Sequence, residues 1–143
     1  MFSLTSEYAL RAVVWLADQS EGEVFGARTI AEETQVPPSY LAKIMQLLVH
    51  AEVVTSHRGV SGGFKLEHAP GALRVLDVVN AVDPITKFTT CPLKLKTHAK
   101  HRCAMHARLN EAIENVEAAL GDSTIADILN DSTRPKPMSD TRH

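Results

Sequence analysis

The sequence predicts a mainly α-helical fold with a small β-wing, closing on a long helix. Three observations predict it. Apolar residues recur at three-and-four spacing through several segments, as one buried helical face requires. Between two of those segments, Arg58-Gly59-Val60-Ser61-Gly62-Gly63 separates two short runs of β-branched and aromatic residues, the pattern of a hairpin. From Met105 to Leu120 one apolar stripe spans roughly 25 Å of helix. With 143 residues, 44% of them hydrophobic, the chain can build one cored domain plus an appended element.

The first helix is expected over Leu4 to Ala17, where Ser or Thr caps the start and Glu7 lies in the favourable first turn. Glu21 to Gly26 reads as a connecting loop with at most a residue or two of strand. Arg28 to Val36 supplies a short helix and a tight turn. The prolyl pair Pro37-Pro38 then sets the start of the next helix, because Pro suits a first helical turn and disfavours helix in the residue before it. In that helix Leu41, Ile44, Met45 and Leu48 form one apolar face. Ser39, Lys43, Gln46 and His50 lie on the other, with Tyr40 beside them. The two helices make a helix-turn-helix, whose second helix is the one that reads DNA. A helical hairpin that only builds a core is the plainer reading of this unit alone.

The following hairpin favours DNA. Val53 to Ser56 and Phe64 to Leu66 are its strands, and Gly59, Gly62 and Gly63 supply positive-φ positions at the tip. Arg58 on such a narrow tip suits the minor groove, whose negative potential deepens where A·T-rich sequence narrows it. The plainer reading is a solvated surface arginine. A further short helix is expected over Leu73 to Val82, ended by Asp83-Pro84.

Beyond it the charge segregates. Ile85 to Asn110 holds no acidic residue, whereas every charge from Glu111 to Asp131 is negative. Within this half, the stripe of Met105, Leu109, Ile113, Val116 and Leu120 is expected to pair with a second copy of the chain. Asp122-Ser123-Thr124 caps a last short helix from Ile125 to Asn130, and the polar tail is expected to be disordered. The organisation is therefore a winged helix-turn-helix over 1–84, a cysteine- and histidine-bearing sensor loop over 85–104, a dimerisation helix and short terminal helix over 105–131, and a tail over 132–143.

Composition removes several classes. Net charge is −2 and the pI about 6.4, so any nucleic-acid contact must come from local patches rather than a global cationic field. Glu7 and Arg11 break the first apolar run, no stretch approaches the ~20 apolar residues of a membrane span, and a cytoplasmic protein is expected. Two cysteines in a reducing compartment leave metal binding, redox sensing or packing as their roles. No enzyme is expected: there is no nucleophile motif or phosphate loop, and Glu32-Glu33 reads as a solvated helix face.

Several of these segments together resemble the family of winged-helix transcriptional regulators typified by IscR and NsrR. The likeness covers roughly residues 2 to 130. It rests on Leu4-Thr5 with Glu7-Tyr8-Ala9-Leu10-Arg11, Ser39-Tyr40-Leu41, Arg58-Gly59 through Gly62-Gly63-Phe64, and Leu76-Asp77-Val78-Val79. It implies a homodimer on a palindromic double-stranded operator, with recognition helices in the major groove and wing arginines in the minor groove. By that likeness Ser39, Tyr40, Lys43 and Arg58 contact DNA, and Arg28 and Gln46 join them as candidates.

Many members of this family hold an iron-sulfur cluster before the long helix on three cysteines spaced by six. Here Cys91 and Cys103 match the outer two, while Thr97 holds the middle place. The resemblance supplies further candidate ligands: His106, three residues after Cys103, and Glu7 reaching from the opposite subunit. His98, beside the vacant position, is another. A [2Fe-2S] core accepts imidazole in place of thiolate, which lowers its negative charge and raises its potential. Zinc would accept the same Cys and His donors, although the spacing is not that of a zinc finger. A metal-free loop with a redox pair or inert thiols is the third reading. The neighbouring Lys94, Lys96, Lys100 and Arg102 would favour thiolate. The expected function is a regulator whose operator affinity follows the state of this loop. A cluster-free regulator controlled by a protein partner or zinc is the alternative, and salt dependence separates DNA binding from an apolar protein interface.

Overall fold

Residues 2–90, 93, 94, 96 and 103–138 are described by the computed structural model. Helix α1 spans Leu4–Ala17 and starts where Ser3 accepts the Ser6 N–H at 3.1 Å, satisfying one orphan donor of the first turn. Its Ala9, Ala12 and Val13 are fully buried, so small residues let neighbouring helices approach it closely. Helix α2 spans Ala27–Thr34 and ends on Gln35 with φ 56°, a left-handed residue that reverses the chain within a few residues. Helix α3 follows over Pro38–His50 and packs with α2 against α1.

The wing is an antiparallel pair, β1 (Val54–His57) with β2 (Gly63–Leu66), in the register Val54↔Leu66 to His57↔Gly63. A short 3-10 turn at Pro70–Ala72 leads to α4, Val75–Val82. The start of α4 is capped by Asp77, whose carboxylate accepts the Arg74 backbone N–H at 2.9 Å and its guanidinium at 2.7 and 3.2 Å. That guanidinium, donating to Asp77, holds the Asp77 carboxyl below the usual carboxylate range.

Helix α5 spans Ala104–Gly121 and α6 spans Ile125–Asn130. The long helix lies against α4, with Leu109, Ile113 and Val116 half-buried along a cavity of about 330 Å³. Met105, the first residue of the expected stripe, is 50% exposed. After α5 the chain turns back. Val75 N–H donates to Ser123 O at 3.0 Å and Ile125 N–H to Leu73 O at 2.8 Å, and Ile125 is fully buried in the same core as Val13, Leu41 and Ile44. Thr124 and Asp127 cap α6 reciprocally.

Residues 132–138 return along the fold. Lys136 pairs with Asp18 at 2.7 Å, and Met138 packs on the core. One thioether and one ion pair supply contacts that composition alone does not reveal. Residues 139–143 lie outside the described residues.

Candidate nucleic-acid interface and sensor loop

The recognition helix divides as its sequence periodicity requires. Leu41, Ile44, Met45 and Leu48 are fully buried, whereas Ser39, Tyr40, Lys43, Gln46 and His50 are exposed. Burying four large apolar residues on one stripe fixes the rotation of the helix about its axis, and that rotation turns the polar set outward. Arg28, on the first turn of α2, is also exposed and pairs with Glu32 at 3.2 Å. Both partners of that pair are solvated, so it contributes little to stability.

The wing is held by more than its two strands. Phe25 N–H donates to Phe64 O at 3.0 Å and Phe64 N–H to Phe25 O at 2.7 Å, a bridge that ties β2 to the loop before α2. Phe25 in turn stacks edge-on to Trp15 of α1, with centroids 4.8 Å apart. Gly63, at φ 152°, lies against Phe25 O and Gly26 N, so no side chain fits there. At the tip, Gly62 N–H donates to Gly59 O at 3.0 Å, closing a turn that leaves Arg58 exposed.

Sequence reasoning missed a cluster at the start of the recognition helix. The Tyr8 and Tyr40 rings meet edge to face at 5.4 Å, and the Arg11 guanidinium lies 5.2 Å from the Tyr8 centroid. Tyr8 and Arg11 are three apart in α1, hence on one helical face, and that spacing was the available signal. It could not say which neighbour the face meets. The ring contact braces Tyr40 of α3 against α1.

Between α4 and α5 the described residues form a clamp on the backbone N–H and C=O of Phe88. Asn110 Oδ1 accepts the Phe88 N–H at 2.9 Å, and Asn110 Nδ2 donates to Phe88 O at 3.1 Å. His106 Nε2 lies 2.8 Å from the same carbonyl oxygen. A carbonyl only accepts, so Nε2 carries the proton and the lone pair of the neutral ring is on Nδ1. His106 and Asn110 are the buried residues of α5, and Lys87 pairs with Glu114 at 3.0 Å, so the start of the basic segment is stapled to this helix. Half-buried Cys103 is the N-cap of α5, one turn before His106. Glu7 is exposed on the first turn of α1. Cys91 and His98 lie outside the described residues, and among the described residues no three His, Cys, Asp or Glu side chains converge as a metal site.

Comparison with known proteins agrees with this arrangement. IscR of T. potens shares 24% identity, with 92% of this chain and 87% of that one covered at a TM-score of 0.74. CymR of B. subtilis, described as its global cysteine regulator, shares 23% identity over 89% of this chain and 94% of its own, at a TM-score of 0.68. Staphylococcus aureus CymR shares 20% identity, covering 87% and 94%, at a TM-score of 0.68. At such identities these likenesses establish the fold, a winged helix. The family model for Rrf2, an iron-dependent transcriptional regulator, matches residues 2–131. The chain belongs to the Rrf2 family of transcriptional regulators.

Proposed function

We propose that this protein acts in the cytoplasm as a homodimer that binds a palindromic operator and adjusts its affinity through the loop from Cys91 to His106. The observation that carries the DNA reading is the clean division of α3, with four apolar residues fully buried and Ser39, Tyr40, Lys43 and Gln46 outward beside the Arg58 tip. In a dimer, two such helices would lie about one turn of DNA apart, roughly 34 Å. The apolar groove lined by Phe2, Val79, Phe88, Leu109, Ile113 and Val116 supports pairing through α5, because two apolar walls bury more area together than apart. No helix among the described residues is long and apolar enough to cross a membrane.

The donors fit a metal or cluster at the points that are described. Metal-bound histidines usually donate their other ring N–H to a carbonyl or carboxylate, and His106 has that geometry with Nδ1 left as the donor atom. Cys103 is one helical turn away, and Cys91 with His98 or a partner's Glu7 would complete a [2Fe-2S] or zinc set. When bound, a [2Fe-2S] core would supply one-electron redox chemistry and oxidative lability. The protein's part is to hold Cys103 and His106 on the first turn of α5, so that any change there acts on the helix proposed to join the subunits. A coupling of ~1–3 kcal/mol shifts affinity about five- to 150-fold.

Thr97 in the middle cysteine place favours a second reading, in which Cys91 and Cys103 respond to oxidants without metal. One of the similar solved structures is an oxidised form of S. aureus CymR. Anaerobic purification followed by a visible spectrum and iron, sulfide and zinc analysis separates these readings. The Cys91→Ala/Cys103→Ala variant is expected to lose chromophore and signal response while remaining dimeric. If it matched the wild type on its operator under every redox condition, sensing by this loop would be abandoned.

A further inference from the structure

We infer that Val60, at the corner of the wing, is a specificity-determining residue that reads the floor of the minor groove and favours A·T over G·C pairs. The inference rests on the DNA-binding reading above. Val60 is 110% exposed, beyond every other large apolar residue among those described, which reach at most 53%. Its place is not loose. Gly59 O and Gly62 N–H close a turn in which Val60 and Ser61 are the two corner residues. Gly62 lies against His57 O and 2.9 Å from Gly59 O, measured to where a Cβ would stand, so the tip is folded as tightly as glycine allows. Turn corners usually carry Gly, Pro, Asn, Asp or Ser, whose backbone or hydrogen-bonding chemistry suits them. Valine brings none of that chemistry, and it places an isopropyl group in water.

What such a group can meet is decided by its neighbours. Arg58 is two residues away on the same tip, and a cation beside a small rigid apolar knob suits a negatively charged groove with an apolar floor. A·T pairs present only acceptors in that groove, whereas G·C adds the protruding guanine 2-amino group. An isopropyl group can seat against adenine C2 but collides with that amine and leaves its N–H without a partner. Valine holds essentially one χ1 rotamer at a time, so little freedom is lost on seating.

The test begins by selecting a binding sequence from a randomised duplex pool with the full-length wild type. The A·T pairs facing the wing are then exchanged for G·C or inosine·C, inosine being guanine without its 2-amino group. Wild type is expected to bind the G·C duplex about fivefold or more weakly, the cost of one mismatched position, and to recover on inosine·C. Val60→Ala is expected to bind all three alike, while the bases chosen by α3 stay the same. Because Arg58 is intact in that variant, a preference arising from groove width alone would survive it. Equal weakness of inosine·C and G·C on the wild type, or full discrimination by Val60→Ala, would overturn the assignment. A pool yielding no sequence at all would instead remove the DNA-binding reading, and this assignment with it.

Discussion

Replacing Gly63 by alanine tests whether the wing is a rigid part of the fold. The residue has φ 152°, a conformation costing an ordinary residue about 1–3 kcal/mol. A Cβ there would also overlap Phe25 O and come within 2.7 Å of Gly26 N, both backbone atoms that cannot swing away as a side-chain end can. Relief therefore requires opening the Phe25–Phe64 bridge, whose two hydrogen bonds at 3.0 and 2.7 Å are worth about 0.5–1.5 kcal/mol each. Together these give a loss of about 2–6 kcal/mol for Gly63→Ala. Gly22→Ala is the control. Gly22 has φ 80° with nothing within 4 Å, so only the backbone cost of about 1–2 kcal/mol remains. Urea unfolding followed by Trp15 fluorescence is well placed to report both, since the single tryptophan stacks on Phe25. If Gly63→Ala fell within ~0.5 kcal/mol of Gly22→Ala, the wing would not be pinned by this bridge, and the stiffness assumed for its tip would fail.

Four other expectations follow from named contacts. Arg58→Ala should lower the slope of log affinity against log salt by about 1 while leaving thermal stability within ~0.5 kcal/mol, measured by fluorescence anisotropy across a salt series and by melting. Ile125→Ala should cost about 2–5 kcal/mol in denaturant unfolding, because this fully buried residue of α6 lies in the core shared with α1 and α3. The Asp77 carboxyl is depressed in the fold, so its contribution is present above its ordinary value of 3.8 and is lost as pH falls through the lower folded value. Asp77→Asn should flatten the acid limb of a melting-temperature profile below about pH 4 and cost ~1 kcal/mol above it. His106→Ala and Asn110→Ala share the Phe88 carbonyl, and a double-mutant cycle in urea should return a coupling of about 0.5–3 kcal/mol; strict additivity would mean the clamp is not one unit.

Much of the fold was legible in one dimension. The last short helix was expected at Ile125 to Asn130 and occurs there, because Thr124 and Asp127 form a local cap that needs no distant partner. The two faces of α3 were equally plain, since a period of 3.6 residues is a property of sequence alone. The start of α4 was placed two residues too early: Leu73 O instead accepts from Ile125 N–H and Val75 N–H donates to Ser123 O, a bridge flanking Arg74 and Thr124, and no local rule foresees that exchange. The contacts of Lys136 with Asp18 and of Met138 with the core are likewise set by residues far away in the chain, not by the composition around them.

For the functional surface, one-dimensional information suffices to say which side chains turn outward on the recognition helix, that a glycine-rich tip carries Arg58, and which Cys and His residues are available before the long helix. Periodicity and local backbone chemistry decide such matters, and both are written in neighbouring residues. It takes the packed fold to bring Tyr8, with Arg11 on its ring, against Tyr40, to anchor the wing on Phe25 through Phe64, and to turn His106 Nε2 toward the Phe88 carbonyl. Those contacts join residues up to 39 positions apart, Phe25 and Phe64 being the widest pair. They exist because helices packing to bury Ala9, Ala12 and Leu41 settle into one relative arrangement, and the side chains between them meet whatever that arrangement brings close.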